Sequence, residues 1–451
     1  MRLGAPFLAL NADRKPVRQG APYNIGMKRS LEQWLDYQLL VHPKTIAMGL
    51  ERVAAVAKRL QIGKPAKHVV TVAGTNGKGS TVAFIEAIAR AEGLKVGAYT
   101  SPHLLSYNER VRIDGIDADD AMLIAVFERI EQARGMDSAN ADGNEAIPLT
   151  YFEFGTLAAL MLFEQAQLDL AVLEVGLGGR LDATNIVDPD VAVVTTVDID
   201  HQDYLGSDRE SIGFEKAGIL RAGKPAVFGE KDPPSSLLRR AYELGAVAIR
   251  GHSDYLIDAK ENGWRWHEPG YDVELPLPAI SAPAQLDNAA AAIAALRALP
   301  VEFSKAAIRR GIAAARVPGR LQTIQSDPEI VVDVGHNPQA ARQLAEWLRR
   351  HPKPTRAVFS ALADKDIEGI VEIMAPHVGI WHLAGIDDAG PRGLTGAALS
   401  ERLAPLLPAD RRETHVDVAE ALRSARAAVA NCERVLVFGS FHTVAAALKA
   451  P

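Results

Sequence analysis

A chain of 451 residues, 48% hydrophobic and 24% charged, is long enough for two or three cores and too apolar to be disordered. Its 56 acidic against 50 basic side chains give a formal net charge of -6, which excludes a whole-chain positive field for nucleic acid. The single cysteine, Cys432, excludes an intramolecular disulfide and a cysteine-rich metal site, suits a reducing cytoplasm, and reads as a buried small residue. No apolar run approaches the roughly 18–20 residues of a membrane helix.

In chain order, the stretch Ala5–Leu10 lacks the basic start and longer apolar core of a secretory signal, so residues 1–26 read as a flexible extension. Met27 is a candidate start just ahead of a helix that opens at Leu31 behind a capping Ser30. Val69–Val72, Ala171–Leu173 and Val191–Val194 are β-branched or apolar runs of the kind that form buried parallel strands. Ser80–Ala91 and Tyr151–Gln165 carry apolar residues at helical spacing, as crossover helices do. Arg250–Pro278, with Trp264, Trp266 and Tyr271 among polar residues, predicts a small antiparallel excursion, followed by an alanine-rich helix over 286–299. Val317-Pro318-Gly319-Arg320 punctuates the chain and marks a domain boundary near Pro318. Strands at Ile330–Asp333, Ala357–Phe359 and Val435–Phe438 then build a second α/β unit.

Chemistry concentrates at the ends of these strands. Gly74-Thr75-Asn76-Gly77-Lys78-Gly79-Ser80 lies directly between a strand and a helix and reads as a phosphate-binding loop. Its glycines let backbone N–H groups converge on phosphate oxygens, and Lys78 adds a point charge. Gly79 stands where a metal-binding hydroxyl usually follows the lysine, so that hydroxyl is expected from elsewhere. Glu174 ends an apolar strand at the edge where open α/β sheets bind ligands, a place suited to Mg2+. Asp198, Asp200 and His201 follow the next strand and are further candidates for metal or nucleotide. Taken alone, Lys216 reads as a surface charge and Phe152 as a core aromatic.

Five segments, Gly74–Ser80, Thr100–Leu104, Glu174–Asn185, Glu215–Ile219 and Asp333–Pro338, together resemble the signature set of the folylpolyglutamate synthases, within the wider Mur-ligase superfamily. The resemblance runs from about Leu31 to Val444. It implies an α/β fold in which a P-loop Mur-ligase-like ATPase domain, residues 27–317, precedes a smaller Rossmann-like α/β domain, residues 318–451. It implies that Thr75, Asn76, Gly77 and Lys78 cradle ATP, that Asn288, Arg320 and Asp333 also contact it, and that Ser101, Glu174, His201 and Lys216 hold two Mg2+ ions. Lys216 matches a lysine that is carbamylated in this family, and Ser101 answers the hydroxyl missing at Gly79. Ala47, Met48 and Gly49, Thr150, Tyr151, Phe152 and Glu153, and Leu181, Asp182 and Ala183 resemble segments lining a pterin pocket in the bifunctional bacterial members. Lys365, Ser440 and His442 fit the family and are expected on the glutamate side.

Ala284-Gln285 departs from the histidine that often precedes this glutamine, and the insertion-like segment Gly135–Ala146 matches nothing in the family. The resemblance implies a monomeric cytoplasmic ligase joining L-glutamate to dihydropteroate and reduced folates with ATP as co-substrate, without nucleic-acid or membrane partners. A cell-wall ligase would lack the folate-type segments, and a guanine-nucleotide switch would carry an Asn-Lys-x-Asp motif, which this chain does not.

Overall fold

The computed structural model describes residues 29–44, 46–135, 146–280, 282–430 and 432–450. The expected extension 1–26, Met27 and residues 136–145 of the insertion lie outside the described residues. Helix α1 (Leu31–Val41) opens on the expected capping Ser30, and Gln33 completes a capping box in which each satisfies the other's backbone N–H. The first α/β unit follows through α2 (Glu51–Arg59), β1 (Ala66–Ala73), α3 (Lys78–Ala91), β2 (Val96–Tyr99), β3 (Val111–Ile113) and β4 (Ile116–Asp117). It continues with α4 (Asp120–Arg134), α5 (Tyr151–Ala166), β5 (Leu168–Glu174), β6 (Val191–Val194), α6 (Gln202–Leu205), α7 (Arg209–Lys216), β7 (Pro225–Phe228), α8 (Ser235–Leu244) and β8 (Val247–Arg250). These strands form one eight-stranded sheet in the order β4-β3-β2-β5-β1-β6-β7-β8. From β2 to β8 all neighbours are parallel, and β3 and β4 add an antiparallel edge. The three runs expected as buried parallel strands are thus adjacent at its centre, covered on both faces as a parallel sheet requires.

The excursion is a three-stranded antiparallel sheet of β9 (Leu256–Lys260), β10 (Gly263–Glu268) and β11 (Tyr271–Leu275). Trp264 and Trp266 alternate with polar residues along β10 and are fully buried, and the Trp266 indole N–H donates to the carbonyl of Ala290 at 3.2 Å. That contact seats the small sheet on α9 (Gln285–Arg297), where every residue from Ala289 to Leu296 is buried. Alanines there let α9 approach α3, the helix that follows the glycine-rich loop, and α10 (Lys305–Ala314) presses on α3 from the other side.

The chain passes between Ala314 and Gln322 into a six-stranded sheet, order β12-β13-β17-β14-β15-β16. Its elements are β12 (Gln322–Ser326), β13 (Glu329–Asp333), α11 (Pro338–Arg350), β14 (Thr355–Phe359), α12 (Ile367–Met374), β15 (Ile380–Ala384), α13 (Gly396–Arg402), β16 (Arg412–His415), α14 (Val418–Ala428), β17 (Arg434–Phe438) and α15 (Phe441–Lys449). Only β12 runs antiparallel. Cys432 corrects an expectation: it is exposed, at φ 73° in the turn ahead of β17, where the left-handed backbone turns its side chain out of the core. No described helix is long and apolar enough to cross a membrane.

Gly311 marks where α10 meets α3, because a Cβ there would overlap the Cα of Ile88 and lie 2.6 Å from its backbone nitrogen. Gly311→Ala is expected to destabilise the first unit by about 1–3 kcal/mol through overpacking, outweighing a helix-propensity gain of about 1 kcal/mol. Urea unfolding followed by circular dichroism reads this directly, and a stabilised variant would refute the close packing.

Candidate active site

At the end of β1 the backbone enters the loop Gly74–Gly77 with φ 155° at Gly74 and 87° at Gly77. A Cβ at Gly74 would overlap Thr195 Oγ1 and one at Gly77 would overlap Asn288 Oδ1, so both positions demand glycine. The segment after β6 fastens the loop: Thr75 N donates to Thr196 O at 2.8 Å, Asn76 N to Thr196 Oγ1 at 3.1 Å, and Thr195 Oγ1 to Asn76 O at 2.6 Å. No side chain caps α3, so its first-turn N–H groups are left to an anion. Lys78 folds over the loop, donating to the carbonyls of Gly74 and Thr75 at 2.9 and 3.2 Å. Burial lowers its pKa, and Glu174 and Asp200 act against that shift.

One pocket is lined by Thr75, Asn76, Gly77, Lys78, Ser101, Glu174, His201, Lys216 and Arg320. Glu174 is buried at the tip of β5 and takes a single hydrogen bond, from Ser101 N at 3.1 Å to Oε2. Burial raises its pKa, while Lys78 and that N–H oppose the rise. A desolvated carboxylate with one oxygen left free among the described residues suits a cation. His201, at φ 52°, has its pKa lowered to about 4 by burial, which leaves the imidazole neutral and able to bind metal.

Lys216 overturns its reading as a surface charge. It is only 3% exposed, makes no ion pair among the described residues, and has its pKa lowered to about 7, first by burial and then by Lys78. The last turn of α7 tucks it under the glycine segment after β5, where the carbonyls of Glu215 and Lys216 lie against Gly179. Together, these groups fit a site for a divalent cation: one carboxylate, one neutral imidazole, a serine, and a lysine that reaches the free-base form near neutral pH.

The second unit closes the pocket with Arg320, His336 and Phe441. His336 belongs to the Asp333–Pro338 motif, and Phe441 lies between Ser440 and His442. Asn288 and Asp333 stand behind the pocket wall. Asn288 abuts Gly77, while Asp333 accepts from Leu321 N at 2.9 Å and Gly335 N at 2.7 Å and so shapes the turn that presents Arg320. Asp198 and Asp200, candidates for metal or nucleotide, are engaged across the two units, and Asp200 also lines the pocket. Asp198 pairs with Arg342 at 2.7 Å; Asp200 pairs with Lys365 at 2.6 Å and accepts from Asn337 Nδ2 at 3.2 Å. Burial opposes the charge of Asp200, yet Lys365, His201 and His336 hold its carboxyl below the usual range. Asn76 reaches across as well, donating to Asn337 at 3.1 Å and to Gln339. Lys365 is therefore placed on Asp200, and Ser440 caps α15 through Thr443 N at 3.0 Å.

Beside the pocket, the folate-type segments come together. Gly49 N donates to Leu181 O at 3.3 Å, and Arg52, absent from the sequence-based set, ties Ala47 O at 2.8 Å to Glu153 at 3.0 Å. Thr150 and Glu153 form the capping box of α5, and Tyr151 and Phe152 open its first turn. Phe152 lies across Gly176, and Met48 reaches Gly178, so the apolar wall is continuous with the loop that follows Glu174. Asp182 is spent on Leu177 N, Thr184 N and the Thr184 hydroxyl, which fixes that loop with Ala183 buried behind it.

A two-unit fold with a phosphate loop, a strand-end acid and an arginine from the second unit defines an ATP-dependent ligase of the Mur type. Residues 72–296 match the Mur ligase middle domain, and residues 319–441 match the Mur ligase, glutamate ligase domain. The Escherichia coli dihydrofolate synthase/folylpolyglutamate synthase is 48% identical over 418 residues, 92% of this chain and 94% of that protein. The structure of E. coli FolC in complex with DHPP and ADP is similar at a TM-score of 0.87 and 46% identity, covering 93% of this chain and 97% of that one. A bifunctional folylpolyglutamate synthase/dihydrofolate synthase with Mn, AMPPNP and L-glutamate bound gives 0.84 and 46%, with the same coverage. The chain belongs to the dihydrofolate synthase/folylpolyglutamate synthase family.

His103, His201 and His336 each have their pKa lowered to about 4 by burial, from an ordinary value of 6.5. The unfolded chain therefore binds more protons between about pH 6.5 and 4, and stability falls as pH drops through that window. For metal-free protein, the melting temperature is expected to decline steadily as pH falls from 6.5 towards 4.5. A flat profile there would contradict the burial of these imidazoles.

Proposed function

We propose that this chain is an ATP-dependent amide ligase that adds L-glutamate to dihydropteroate and to reduced folates through an acyl phosphate, releasing ADP and phosphate. The observation that carries this reading is the convergence on one pocket of a phosphate loop, Glu174 and an arginine from the second unit, flanked by the Met48 and Phe152 wall. A carboxylate does not react with an amine at neutral pH until its oxygen is made a leaving group, which transfer of the γ-phosphoryl of ATP achieves. Thr75, Asn76 and Gly77 shape the loop around the phosphates, the uncapped first-turn N–H groups of α3 donate to them, and Lys78 and Arg320 offset charge on the transferring group. Asn288 and Asp333 set Gly77 and Arg320 for ATP. Ala47–Gly49, Thr150–Glu153 and Leu181–Ala183 line the pterin side, which holds the acceptor carboxylate towards the loop.

Ser101, Glu174, His201 and Lys216 are the ligands for Mg2+, two ions in all, which supply Lewis-acid neutralisation of the phosphoryl oxygens when bound. Lys216 takes up CO2 to become a carbamate. Only its neutral amine reacts, and a pKa near 7 makes that form abundant. We assign residues 27–317 to the ATP- and pterin-binding domain and 318–451 to the C-terminal domain, and take the enzyme as a cytoplasmic monomer.

ADP release with Mg-ATP and L-glutamate, compared among dihydropteroate, tetrahydrofolate and no acceptor, tests the reading. Stimulation by both acceptors, with a glutamylated product of each, is expected; no stimulation by either would sink the folate assignment. Lys78→Ala, Glu174→Gln and His201→Ala should each lower turnover by a factor on the order of 10²–10³ or more with the fold intact. Near-normal activity in any of them removes that residue from the mechanism. Lys216→Ala should be similarly inactive, and wild-type enzyme in CO2-depleted buffer should lose activity that bicarbonate restores. Insensitivity to CO2 would rule out the carbamate.

A further inference from the structure

We propose that His382, Glu413 and His415 form a binding site for a divalent transition ion of the zinc type on the outer edge of the second sheet, apart from the ATP pocket. His382 lies on β15 directly opposite Glu413 on the edge strand β16, and His415, two residues further along, points to the same face. That face is covered by α14, whose Ser424 hydroxyl donates to Glu413 Oε2 at 3.3 Å.

The three donor atoms converge. His382 Nδ1 is 3.2 Å from His415 Nε2 and 3.3 Å from Glu413 Oε2, and His415 Nε2 is 3.7 Å from the same oxygen. A tetrahedral zinc with ligands at about 2.0–2.1 Å separates adjacent donors by about 3.3–3.4 Å, so this triangle is already close to one face of the coordination polyhedron. Two imidazoles and one carboxylate favour zinc over the Mg2+ of the ATP site, which prefers oxygen ligands in octahedral array.

A second observation points the same way. The His382 side chain is fully buried, and its Nε2 has no hydrogen-bond partner among the described residues. Its polar contacts all run through Nδ1 to the other two donors. A fully buried imidazole thus aims Nδ1 into the cluster, and Nε2 is the nitrogen that carries the ring proton when Nδ1 ligates. Glu413 is 49% exposed, which leaves a way in for the ion and a fourth position for water. In strand order, β14 and β17 separate the cluster from β13, whose end carries Asp333. At about 4.8 Å per strand, the separation is on the order of 15 Å, which removes the site from the ligation chemistry. Its effect is to tie β16 and α14 to the body of the second unit.

Full-length protein stripped with a chelator and returned to excess Mg2+ is titrated with ZnCl2, alongside Glu413→Gln and His415→Gln. These two positions are used because replacing the buried His382 risks the fold. Calorimetry and elemental analysis are expected to show one zinc equivalent in the wild type that is lost, or at least 10-fold weaker, in both variants. Zinc should raise the wild-type melting temperature and leave that of the variants unmoved. Co2+ in place of zinc should give the intense visible bands of a four- or five-coordinate ion in the wild type alone. Equal zinc stoichiometry and affinity in all three proteins, or a weak octahedral Co2+ spectrum in the wild type, would overturn the proposal.

Discussion

The loop Gly74–Gly77 can pass only where it does because Thr195 and Asn288 occupy the space that any side chain at Gly74 or Gly77 would need. That close approach is the constraint from which the rest of the site follows. Thr195 belongs to the segment after β6, and Asn288 to α9, so the loop is gripped from the sheet and from the helix layer together. The grip on α9 is in turn braced by Trp266, whose indole bonds the helix backbone two residues beyond Asn288. A small antiparallel sheet that looks peripheral therefore belongs to the same mechanical chain as the phosphate loop. The alanine run in α9 serves the same end, since larger side chains would push the helix, and Asn288 with it, away from the loop.

The second constraint is electrostatic and joins the two units. Asp200 sits at the margin of the pocket with Lys365, His336 and Asn337 gathered on it from the second unit, while Asp198 holds Arg342 nearby. A carboxylate this buried is stable only while its partners stay in place, because removing one leaves a charge without water or counter-ion. The arrangement brings Arg320 to the loop and gives the acids after β6 a part in joining the two units. It also explains how one short segment serves two purposes: His201 faces the pocket, and the residue before it fastens the wall.

Where local pattern determines structure, the sequence is informative. Buried β-branched runs announce the central strands, the capping Ser30 announces the first helix, and a glycine-rich segment between strand and helix announces the phosphate loop. Properties that arise only when distant segments meet were not legible. Lys216 reads as a surface lysine because nothing within α7 says that Gly179 and the loop after β5 will cover it. The pairing of Arg52 with Glu153 arises only when α5 is placed against α2. Cys432 reads as buried on composition, yet the backbone conformation of its turn puts it outside. Phe441 follows a capping serine and reaches the pocket only because the second unit is latched over the first.

Desolvation ties the pocket's chemistry to its folding. Removing water disfavours every charged form: burial pushes Glu174 up and pushes His201 and Lys216 down. For the two bases, that shift exposes a lone pair near neutral pH, which an imidazole needs to ligate a cation and an amine needs to attack CO2. For Glu174, the same burial stores a penalty that Lys78 and the Ser101 N–H relieve in part and an arriving cation relieves further. The fold thus bears a cost at each of these groups, and the cost has one direction. Each becomes more favourable when cations and phosphates arrive together, so the energy spent in burying them is returned as affinity for a charged ligand rather than as stability of the empty protein.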